Sequence, residues 1–112
     1  MAKKLQELSN DSLNNLQQAF DNYQKAFFPE RTGEFFCLEL NGEAGELANL
    51  EKKKWKGKEI PHDALADEAA DVFIALMNYS NSRGIDLGKA VSQKLSKIDH
   101  KMRLLKEKGL DY

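Results

Sequence analysis

The chain has 112 residues, room for one compact core and a single domain spanning 1–112. Hydrophobic residues at 41% set it among globular rather than disordered chains, and 17 basic against 18 acidic residues argue against a surface built to hold nucleic acid polymers. No apolar run approaches the roughly 20 residues that cross a bilayer, so no membrane partner is expected. The opening stretch lacks the apolar segment of an export signal, and Cys37 stands alone, so a reducing cytoplasm is the expected location.

Breaks at Pro29, Gly33, Gly57, Pro61, Gly84 and Gly109 leave long helix-favouring stretches between them. Four helices are expected, at about 11–28, 34–55, 63–83 and 86–108, with no alternating strand pattern; the fold class is all-α, a four-helix bundle or a close relative. The first helix carries Leu13, Leu16, Phe20, Tyr23 and Phe27 in three- and four-residue steps. The fourth repeats the pattern with Val91, Leu95, Ile98, Met102 and Leu105, entered by Asp86 as N-cap and left at Gly109.

The second and third helices break the rule of their own stripes. Phe36, Leu40, Leu47 and Leu50 define one apolar face, yet at about 100° per residue Glu43 falls inside that arc, with Glu39 and Glu46 at its edge. On the third helix Leu65, Ala69, Val72, Leu76 and Tyr79 form the stripe; Glu68 sits within it and Asp71 at its border. An unpaired buried carboxylate is costly, and Lys and Arg are scarce on these faces, so a divalent cation is the simplest partner. All-oxygen ligation without His or Cys suits Mg²⁺, with Mn²⁺ as substitute.

Gly42-Glu43-Ala44-Gly45-Glu46-Leu47, with Glu68-Ala69-Ala70-Asp71-Val72 further along, resembles the paired motif of the MazG-like all-α nucleotide pyrophosphohydrolases, close to their dCTP pyrophosphatase branch. Gly84-Ile85-Asp86-Leu87 and the basic residues Lys94, Lys97, Lys101 and Arg103 resemble the segment downstream of that motif in the family, so the likeness covers roughly residues 33 to 103. It implies a MazG fold, Mg²⁺ held by Glu43, Glu46, Glu68 and Asp71, and a homo-oligomer, dimer or tetramer. It also implies hydrolysis of (deoxy)nucleoside triphosphates to monophosphate and pyrophosphate, a nucleotide-pool house-cleaning activity with a dNTP as substrate. Gly42 stands where many relatives have a further glutamate, and Lys101 where asparagine is common; Glu39, one turn before Glu43, can supply the missing acid.

In that chemistry Glu46 or Glu39 would take the proton of the attacking water. Lys52, Lys53, Lys54, Lys56 and Lys58 come after the acids and are placed to meet the outer phosphates; their bland role is to complement a helix C-terminus. Through the resemblance Lys97, Lys101 and Arg103 join the substrate contacts. Trp55, within the lysine run, can stack on a base or anchor the loop, and Phe27 and Phe28 can close a base pocket or pack in the core. Asn78 and Tyr79 lie beyond Asp71, within reach of substrate. The alternative from another class is a non-catalytic helical adaptor or metal-binding regulator that uses the same stripes and the same acids.

Overall fold

The computed structural model describes residues 2–112, and among them the chain is helical throughout, with no strand. Helix α1 covers residues 2–27 as an α-helical start (Ala2–Leu8), a π-helical turn (Ser9–Leu13) and an α-helical remainder (Asn14–Phe27). After it come helices α2 (Gly33–Trp55), α3 (His62–Ser82) and α4 (Leu87–Glu107). No helix among the described residues is long and apolar enough to cross a membrane.

The chief departure from expectation is that the first helix begins near residue 2 rather than 11. The polar run Ser9-Asn10-Asp11-Ser12 favours helix ends, but here it is absorbed as a π turn. The Ser9 hydroxyl donates to the carbonyl of Leu5 at 2.8 Å, and the Ser9 carbonyl is met by Gly88, where any Cβ would collide with it. A widened turn and a glycine thus let two backbones approach where side chains would hold them apart. At the start of α4 the Asp86 carboxylate accepts from the backbone N–H of Lys89 at 3.0 Å, the cap its position called for.

The fold resolves into two compact units, one formed by residues up to Ala19 with Ile85–Tyr112, the other by Phe20–Gly84. In the first, buried Gln17 grips the entry to α4 with both ends of its side chain. Its Nε2 donates to the Ile85 carbonyl at 2.6 Å, and its Oε1 accepts from the Leu87 N–H at 3.0 Å. Gln6 adds a bond to the Ser92 carbonyl at 2.9 Å.

The second unit is built on α2 and α3, packed against each other and antiparallel: Arg83, just past α3, pairs with Glu34 in the first turn of α2 at 3.1 Å. The Arg83 guanidinium lies over Gly33, in the space that a Cβ there would occupy. Thr32 caps α2 by accepting from the Phe35 N–H. Phe36, Ala75 and Met77 form the fully buried apolar core, with Asn78 and Ser80 beside them. The expected α3 stripe is only half-buried at Leu65, Val72, Leu76 and Tyr79, and Ala69 is exposed. On α1 the stripe opens further, Tyr23 being exposed and Phe27 71% exposed.

The Gln17 clamp carries a direct test. Replacing it with Ala leaves a buried N–H and carbonyl unpaired, so Gln17→Ala should lose about 1–3 kcal/mol of unfolding free energy in urea titration. Gln17→Glu should also be destabilised, since it offers the Ile85 carbonyl an oxygen in place of a donor.

Candidate metal centre

The acids expected from the broken stripes do converge. Carboxylate oxygens of Glu43, Glu46 and Glu68 lie within 4.8 Å of one another, and those of Asp67, Glu68 and Asp71 do the same, so Glu68 belongs to both groups. Helical spacing explains this: Glu43 and Glu46 are one turn apart on α2, Glu68 and Asp71 one turn apart on α3, and antiparallel packing brings the two pairs face to face. Asp67 escapes sequence reasoning, because it lies toward the exposed side of α3 and no apolar neighbours frame it. Glu39 is half-buried and stands in neither group.

The electrostatics of this cluster are unfavourable as they stand. One oxygen each of Glu43 and Glu68 is buried without any hydrogen-bond partner. The ion pairs among the described residues, Lys25–Asp21, Arg83–Glu34 and Arg103–Asp99, touch none of these acids. Burial pushes the Glu43 carboxyl up to about 7, reinforced by the negative charges of Glu46, Asp71 and Glu68. Glu68 is raised too, by burial first and then by the Glu46 carboxyl and the Asp71 charge. Buried oxygens with no donor, supplied by two helices and crowded by like charges, fit a hard divalent cation. Glu43, Glu46, Glu68 and Asp71 would hold it, with Asp67 in reach.

The other expected site residues are placed less closely. Lys53 and Lys54 are exposed in the last turn of α2, and Trp55, at its end, is 90% exposed. Lys97, Lys101 and Arg103 belong to the other compact unit. There Lys101 stands over the Tyr112 ring at 4.9 Å and Arg103 pairs with Asp99 at 2.8 Å, so both already have partners. No family model, curated protein or solved structure matches the chain, and the likeness to the pyrophosphohydrolases rests on its motif residues alone.

A raised carboxyl pKa fixes the sign of the pH response without metal. Folded Glu43 holds its proton up to about 7 whereas the unfolded chain releases it near 4.5, so stability is fullest below 4.5 and falls as pH rises through about 7. In EDTA at about pH 8, Glu43→Gln should therefore melt above the parent, the gap closing toward acid pH; Mg²⁺ should raise the parent's melting temperature far more than the variant's. Thermal melts over a pH series, with and without Mg²⁺, check both.

Proposed function

We propose that this chain is a MazG-like, Mg²⁺-dependent nucleoside triphosphate pyrophosphohydrolase, releasing a monophosphate and pyrophosphate. The observation that carries the reading is the pair of buried, partnerless oxygens of Glu43 and Glu68, flanked by Glu46 and Asp71 from the same two helices. Mg²⁺ bound there supplies charge neutralisation of a triphosphate and acidifies bound water.

The chain's own residues divide the remaining work along α2. Glu46 has an exposed side chain within the acid group, so it can accept a proton from water approaching the α-phosphorus. Glu39, one turn before Glu43 and outside both groups, is the second candidate for that proton. As the water oxygen bonds to phosphorus, the bond to the bridging oxygen breaks and pyrophosphate departs with its electron pair. Lys53 and Lys54, two turns beyond Glu46, offer positive charge on the side toward which that anionic group would leave. A deoxynucleotide, of which dCTP is the favoured candidate, is the substrate class that the motif resemblance suggests, and clearance of unwanted nucleotides the purpose.

Assembly belongs to the same proposal. Phe27, Leu38 at 74% exposed and Trp55 present large apolar side chains that the single chain leaves open to solvent. A homodimer or a tetramer built from two dimers would bury them, and light scattering at micromolar concentration should report no monomer.

Separation of the products tests the chemistry. Incubation of a dNTP panel with Mg²⁺ should yield dNMP and pyrophosphate, abolished by EDTA and restored by Mn²⁺; dNDP with orthophosphate would contradict the cut site. Glu46→Gln should lower kcat by about 10²–10⁴-fold, the range for loss of a positioned base. A chain that binds Mg²⁺ but cleaves no nucleotide would instead be the helical metal-binding regulator.

A further inference from the structure

The end of α2 carries an exposed charge pattern of its own. Lys52, Lys53, Lys54, Lys56 and Lys58 lie within seven residues, all exposed, with Glu51 and Glu59 as the acids flanking them. The ion pairs among the described residues include none of these lysines. Nor does the helix end need their side chains to satisfy it. The carbonyls of Lys52, Lys53 and Lys54 accept the backbone N–H groups of Lys56, Lys58 and Gly57 at 3.1, 3.0 and 3.0 Å. In the middle of the group stands Trp55, at 90% the most exposed large apolar side chain among the described residues.

Helical register divides this tip into two faces. Lys53 follows Glu46 by about two turns and shares its side, whereas Trp55 follows it by about two and a half turns and lies on the opposite side. Lys52, three residues before Trp55, neighbours it on that outer face, and Lys56 and Lys58 follow in the turn. An indole is apolar over its rings and polar at its N–H, so it sits best where hydrocarbon meets water. Ammonium groups around it call for an anionic layer at the same depth. A two-fold contact through the tip would instead set two groups of five lysines together, which makes a second copy a poor cover for it. Residues 51–59 are all exposed, as at a projecting end, whereas a nucleic acid strand is held along a groove.

We propose that the tip of α2 seats the protein on an anionic phospholipid surface, with Trp55 entering the headgroup region and Lys52, Lys56 and Lys58 meeting the lipid charges. Resting on a bilayer makes no demand for the long apolar run that crossing one does. Five lysines less Glu51 and Glu59 leave three positive charges. Each is worth about fivefold in affinity near an anionic leaflet, so a preference of roughly a hundredfold over neutral lipid follows. The same orientation turns Glu46 away from lipid charges that would repel it, and leaves Lys53 on the side of the acids.

Trp55 is the chain's only tryptophan, so its fluorescence reports on this tip alone. The full chain is titrated with vesicles of phosphatidylcholine and with vesicles in which about 30% of the lipid is phosphatidylserine. The anionic vesicles should shift the emission to the blue and carry the chain into the pellet on sedimentation, the neutral ones about a hundredfold less well. High salt should erase the difference. A Lys52→Ala, Lys56→Ala, Lys58→Ala triple variant should lose the anionic preference. Trp55→Ala should keep that preference but sediment about tenfold or more weakly. All four residues are exposed, so the helical spectrum of both variants should match the parent's. Equal binding to the two kinds of vesicle, binding to neither, or an unaltered preference in the triple variant overturns the proposal. So does a blue shift that grows with protein concentration alone, which would give Trp55 to a second copy. A shift caused by a single-stranded oligonucleotide but not by anionic vesicles overturns it too, and would give the tip to nucleic acid.

Discussion

Two carboxylate oxygens, on Glu43 and Glu68, are withdrawn from water where no donor meets them. Burial of an acid is tolerated when it is protonated, paired with a cation or bound to metal. Around these two the first option is partly taken, as the upward shift of both carboxyls shows, and it is opposed by any rise in pH. The second is closed, because the ion pairs among the described residues lie elsewhere. The whole α2–α3 pairing is arranged around this unresolved charge: the antiparallel register that places Arg83 against Glu34 at one end also aligns the two acid pairs in the middle.

This arrangement costs stability in the absence of a bound cation. At Glu43 and Glu68 the packing rule calls for leucine, and a hydrophobic substitution would remove both the desolvation cost and the repulsion. The fully buried apolar core is correspondingly small, Phe36, Ala75 and Met77. Phe27, Leu38 and Trp55 are among the large apolar side chains that the single chain leaves open to solvent. Binding of a cation to the folded state, and burial of those faces in an assembly, would both return stability by mass action.

The acids are legible in the sequence because an amphipathic helix has a strict periodicity, and a charge inside the stripe is a visible violation of it. Helix ends are nearly as legible where chemistry marks them, as at Asp86 and Gly33. The start of the first helix is not, because Ser9-Asn10-Asp11-Ser12 has local preferences for a helix end, and only contacts from Gly88 and Ser92, far along the chain, turn it into a π-helical interior. Asp67 is hidden by its place outside the stripe, and the burial of Asn78 by the fact that asparagine at an apolar border is ordinary on a helix. Trp55, a lone tryptophan among lysines, stands 90% exposed at the end of α2.

If Glu43 and Glu68 are buried in order to hold a divalent cation, Mn²⁺ electron paramagnetic resonance reads that binding without recourse to substrate, since the signal of free hexaaqua Mn²⁺ is lost when the ion is bound. The chain should quench this signal at submillimolar concentration, and Mg²⁺ should restore it by competition. A Glu43→Gln, Glu68→Gln double variant with an intact helical spectrum should leave the signal unquenched. Equal quenching by parent and double variant, or none by either, would contradict a metal-holding role for the two glutamates.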